Sequence, residues 1–134
     1  MAGYSSTPLV RKLGIKPGAR IAVLGAPEGF SLPSEELPPG VAIRASARGP
    51  LDVIIAFFDR GPRLERRFPA LRGALDPAGG LWIAWPKRSS GVSTDLDENV
   101  VRAAGLAAGL VDNKVCAIDE VWSGLRFVFR LRDR

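Results

Sequence analysis

The chain has 134 residues and a mass of 14.3 kDa, with 46% apolar and 25% charged residues, which excludes disorder and fibrous repeats. It has no histidine and one cysteine. That removes Ser–His and Cys–His nucleophile pairs, nearly every structural zinc site and any internal disulfide, and it suits a reducing cytoplasm.

The N-terminus lacks a long apolar core flanked by a charged start and a cleavage site, so no secretory signal is expected. No apolar run approaches the roughly 20 residues of a membrane span. In chain order, Ser6 or Thr7 is expected to cap a short helix, with Pro8 in its first turn and Gly14 at its end. Residues 20–25 read as a short buried strand. The segment 26–40 carries Pro27, Gly29, Pro33, Pro38, Pro39 and Gly40, so only a single turn fits, over 33–37. Residues 41–46 suit an edge strand. Residues 51–58, β-branched, aromatic and apolar on both faces, predict a central parallel strand.

Asp59 is the expected cap of the next helix. Pro62 would sit in its first turn, Leu64, Phe68, Leu71 and Leu75 would form its apolar stripe, and Pro69 predicts a kink or restart. Residues 76–80 read as a turn and 81–86 as another buried strand. A polar loop then leads to a helix capped by Thr94, Asp95 or Asp97, with Val100, Val101, Ala104, Ala107 and Ala108 packing on the sheet. Strands over 111–120 and 124–132 close the chain as an antiparallel hairpin. The fold expected is α/β, one domain over 1–134: a single open, mostly parallel, Rossmann-like sheet with helices on both faces.

Residues 71–87 resemble the run into the late sheet strand of class I methyltransferases, and 95–132 resemble the closing helix and hairpin of that fold. The whole chain also resembles a family of short bacterial proteins of unknown function. The motifs carrying this are GYSSTPLVRKLGIKPG, LGAPEGF, WPKRSSGVSTDL and DEVWSGLRFV. The resemblance implies a methyltransferase-like sheet shortened by one strand, in the order 2-1-3-4-6-5. It also brings S-adenosylmethionine into view as a cofactor, on a degraded motif. Pro27 and Glu28 interrupt the glycine turn, and 41–49 supplies no acid for a ribose.

The candidate site follows from where strand ends converge in open α/β sheets. Gly25, Glu28 and Gly29 would follow the first strand; Lys87, Arg88, Ser90, Thr94 and Asp95 would follow a later one beside a helix start. Lys87 and Glu28 are expected to line one pocket, with Glu120 and Trp122 on its rim. Lys87 and Arg88 beside serine and glycine suit a small anionic ligand. Cys116 reads as a strand thiol. No catalytic or metal-ligating set is assigned, since Asp95, Asp97 and Glu98 suit capping.

Fifteen of the 19 basic residues are arginine, and positive charge concentrates over 1–34, 60–88 and 121–134. Three readings remain open. One is a binding module for a small anion or a protein partner, and the second is a degenerate S-adenosylmethionine-binding protein or methyltransferase. The third is a nucleic-acid accessory using Arg60, Arg63, Arg66, Arg67 and Arg72.

Overall fold

A computed structural model describes residues 7–134. Ser6, one of the two expected helix caps, lies outside the described residues. The first helix, α1 (Leu9–Lys12), starts after Pro8, which takes the cap position without a side-chain bond. Proline fits there because it has no N–H to leave unpaired. Gly14 ends the turn at φ 79°, in the left-handed region.

Six strands form one sheet: β1 (Arg20–Leu24), β2 (Ala42–Arg44), β3 (Leu51–Phe57), β4 (Leu75–Pro86), β5 (Leu110–Ala117) and β6 (Trp122–Phe129). Their order is β2-β1-β3-β4-β6-β5, as expected. β2, β1, β3 and β4 run parallel; β6 pairs antiparallel with both β4 and β5. β3 and β4 occupy the middle, and buried apolar side chains on both faces explain why residues 51–57 lack a polar face.

Two helices cover one face, α2 (Gly61–Ala74) and α3 (Glu98–Ala107). Leu64, Phe68 and Leu71 from α2 and Val101 from α3 pack on Ile54, Ile83, Leu125 and Phe127. On the other face, Val10, Leu13, Ile15 and Leu32 cover Ile21, Val53, Ile55 and Trp82. Trp82 is fully buried, and its indole N–H donates to the Leu13 carbonyl at 3.0 Å. That bond ties the end of α1 to the central strand and satisfies the buried indole donor. No helix among the described residues is long and apolar enough to cross a membrane.

Several local expectations are corrected. Asp59 does not cap α2; Arg60 holds the cap position, and the carboxylate comes from Asp95, whose Oδ1 accepts the Gly61 N–H at 2.7 Å. α2 continues through Pro69 with no restart, and Leu75 leaves the helical stripe to begin β4. The 76–80 turn does not separate elements. Leu75 pairs with Leu51 and Gly80 with Val53, so the intervening residues bulge within β4. Asp76 Oδ1 accepts the Ala78 N–H at 2.9 Å, which is local turn chemistry accommodated inside a strand.

Asp97 caps α3 by accepting the Val100 N–H at 2.9 Å. Val100 itself is exposed rather than packed on the sheet. Trp122 and Ser123, expected in the hairpin link, belong to β6.

Candidate functional site at the carboxyl ends of the strands

The connection from β1 leads to β2 on one side, whereas β3 leads through α2 to β4 on the other. The chain therefore diverges between β1 and β3, and a crevice opens beyond their carboxyl ends. Leu24 and Gly25 line it from β1, Ala56 to Phe58 from β3, and Arg63 and Arg67 from α2, around a volume of about 210 Å3. Gly25 has φ 66°, and a Cβ there would lie 3.0 Å from the Phe57 carbonyl oxygen. Glycine permits both the left-handed turn and this close approach. Arg63 and Arg67 stand one helical turn apart, are exposed, and form no ion pair among the described residues.

Two larger hollows adjoin on the rim. Glu28, Gly29, Phe30, Asp119 and Trp122 line one, of about 590 Å3. Lys87, Arg88, Thr94, Asp95, Asp97 and Glu98 line the other, also about 590 Å3. Val92 forms part of both walls. Lys87 and Glu28 are therefore on adjoining hollows rather than in one pocket. The physical reason is a competing acceptor: Lys87 Nζ donates to the Asp119 carbonyl at 2.6 Å, and its backbone N–H donates to the Val121 carbonyl at 2.7 Å. Lys87 is held in place, as its position after Trp85-Pro86 suggests, but it clamps the β5–β6 turn.

Other polar residues expected at the site also bond within the loops. Ser90 Oγ donates to the Lys87 carbonyl at 2.6 Å and accepts the Val92 N–H at 3.2 Å. Thr94 Oγ1 donates to the Asp59 carbonyl at 2.7 Å, and Arg60 donates to the carbonyls of Asp59 and Ser93, each at 2.9 Å. With Asp95 on Gly61, these bonds stitch the loop after β4 to the start of α2. The positive end of α2 already has its carboxylate. Arg88 is exposed on the rim, Trp122 lines the Glu28 hollow, and Glu120 lines neither large hollow.

The five arginines proposed as one face divide by environment. Arg63, Arg66 and Arg67 are exposed on α2, whereas Arg60 is taken up by the 93–95 loop. Arg72 is half-buried, with its guanidinium 4.9 Å from the centre of the Phe129 ring. Cys116 is half-buried on β5, and burial pushes its thiol pKa upward. That direction opposes thiolate formation and fits a strand thiol.

Residue patterning did not single out the crevice role of Arg63 and Arg67 or the wall role of Phe30. The helical spacing of the two arginines was visible. Their proximity to Gly25 depends on β1 and β3 being neighbours, which sequence separation conceals.

Solved structures share this fold. A SAM-dependent methyltransferase from Aquifex aeolicus has a TM-score of 0.68 at 15% identity, covering 89% of this chain and 86% of that one. The magnesium protoporphyrin IX methyltransferase of Synechocystis PCC 6803 with bound SAM has a TM-score of 0.62 at 13% identity, covering 91% and 74% respectively. The fold is methyltransferase-like. A ribosomal protein L11 methylase from Lactobacillus delbrueckii subsp. bulgaricus adds a TM-score of 0.58 at 13% identity, covering 91% and 75%. No family model matches the chain, and no curated protein matches it in sequence. The methyltransferase-like sheet thus rests on geometry, with sequence identities that speak to fold alone.

Proposed function

We propose that this protein is a small-molecule-binding module on a methyltransferase-like sheet, a shortened relative within the family of short bacterial proteins its motifs resemble. The ligand enters the crevice between β1 and β3 and presents an acidic group to Arg63 and Arg67. The observation that carries this reading is the pair of unpaired guanidinium groups facing a glycine turn at the point where the chain diverges. A volume of about 210 Å3 suits one end of a ligand, since sites that enclose drug-sized molecules begin at about 300 Å3. S-adenosylmethionine and its demethylated product, each carrying a carboxylate, are the first probes because their nucleoside can extend over the rim. Methyl transfer is the enzymatic form of the same reading, although β2 ends in Arg44 rather than an acid.

The test is thermal unfolding with S-adenosylmethionine, its demethylated product and common nucleotides. Ligand at about 100 times its Kd stabilises the fold by about 2.7 kcal/mol, a shift of several degrees for a chain of this size. Arg63→Ala with Arg67→Ala should abolish the response. The reading fails if no acidic probe raises Tm, or if the double variant responds like the wild type.

A second reading, nucleic-acid binding through Arg63, Arg66 and Arg67, is supported by their exposure on one stretch of α2. Three released counterions give a slope of log K against log salt of about −3 on duplex DNA. Binding that barely changes between 50 and 200 mM salt, or survives Arg63→Glu with Arg67→Glu, removes it.

A further inference from the structure

The hollow beside Glu28 has the opposite electrostatic character to the crevice. In a chain of net charge +5, the described residues of its lining include two carboxylates, Glu28 and Asp119, and neither a lysine nor an arginine. Two lysines reach the same turn without lining the hollow: Lys87 donates to the Asp119 carbonyl and lines the adjoining hollow, and Lys12 donates to the Ala117 carbonyl. The two acids differ in their commitments. Asp119 Oδ1 accepts the N–H groups of Val121 and Trp122, each at 2.8 Å, and thereby shapes the β5–β6 turn. Glu28 is exposed and has no hydrogen-bond or ion-pair partner among the described residues.

Apart from Ser31, the remainder of the wall carries no polar side chain, and Phe30, Ile118 and Trp122 are its largest members. Phe30 and Trp122 are both half-buried. Each packs edge-on against Phe57, with ring centroids 4.9 and 5.1 Å apart. Phe57 also lines the crevice between β1 and β3, so the residue that supports both aromatic walls of this hollow borders the positively lined cleft as well.

We infer that the hollow walled by Phe30 and Trp122 is a second ligand site, selective for a small apolar amine whose ammonium pairs with Glu28. Aromatic and aliphatic walls take the apolar body, while the lone unpartnered carboxylate selects its charge. An acidic molecule of the same shape meets two carboxylates and no cation among the described lining residues. The site is independent of Arg63 and Arg67, so it stands or falls separately from the proposed crevice ligand.

The experiment uses the full chain with phenethylamine, phenylacetate and 2-phenylethanol as cationic, anionic and neutral probes of similar shape. Trp82 and Trp85 are 0% and 5% exposed, whereas Trp122 is half-buried at the hollow, so a change in tryptophan emission on adding a ligand there reports principally on Trp122. Phenethylamine should change emission saturably and raise Tm, with phenylacetate inactive at equal concentration and 2-phenylethanol weaker. Glu28→Gln, at an exposed position, should weaken amine binding by about tenfold or more. Arg63→Ala with Arg67→Ala should leave amine binding unchanged. The inference is overturned if phenethylamine gives no saturable response, if either other probe binds as well, or if Glu28→Gln binds the amine like the wild type. Loss of amine binding in the double-arginine variant would also overturn it, by merging the two clefts into one site.

Discussion

The amino-terminal end of the sheet carries its charge in a different way from the rim. Arg20 donates through its backbone N–H at 2.7 Å and through its guanidinium at 3.0 Å to Asp52, across the β1–β3 pair. The Arg20 hydrogen bond holds the Asp52 carboxyl below its ordinary pKa, outweighing the upward push of burial. A depressed folded-state pKa means that its stabilisation is present above the ordinary carboxylate range and lost as pH falls through the lowered value. Asp52→Asn should therefore lower Tm at pH 7 and flatten the wild type's loss of Tm in acid. With the side chain about one-third exposed, solvent screening limits the cost to about 1 kcal/mol. Parallel acid limbs in the two proteins would show that other carboxylates govern acid unfolding.

Elements pack through contacts that local propensity does not reveal. Gly105 sits inside α3, where glycine ordinarily costs about 1 kcal/mol relative to alanine. Here a Cβ would clash with the edge of the Phe127 ring, which is fully buried on β6. Gly105→Ala should therefore destabilise by about 1–3 kcal/mol despite improving helix propensity, measured by urea unfolding. An increase in stability would mean that α3 can lift from β6 at little cost. The start of α2 makes a related point, because its carboxylate arrives from a loop 34 residues later. Asp95→Ala should cost about 1 kcal/mol, as loss of a helix cap does, whereas Asp59→Ala should leave that cap intact.

On the scale of the whole molecule, the two faces of the sheet are covered differently. Two helices of 10 and 14 residues protect one face, while the four-residue α1 and the proline-rich 26–40 segment lie over the other. Stability should be graded accordingly, with amide exchange slowest in β3 and β4 and fast over 26–33. Exchange over 26–33 as slow as in β3 would contradict that gradient. The less regular cover is also the one that contributes Glu28 and Phe30 to the rim. The segment that gives up helical protection thus supplies side chains to the candidate site.

The central strands and the closing hairpin were legible because strong local signals coincided: apolar runs at 51–58 and 81–86, a glycine or proline break beside each, and alternation at the end of the chain. Burial on both faces leaves such a pattern in the residues themselves. The order of the strands followed from the resemblance to class I methyltransferases. The expected site segments, after β1 and after β4, likewise reach the same end of the sheet because parallel strands point their carboxyl ends together. Three outcomes depended on tertiary structure. Asp95 caps α2 rather than its own helix, Lys87 donates to the Asp119 carbonyl, and Arg63 lines one crevice with Gly25 at the β1–β3 divergence. Each joins groups tens of residues apart, where the selection of partner depends on three-dimensional proximity and competing donors. Sequence alone determined which segments could cross the core; folding decided which polar groups at their ends remained available for a ligand.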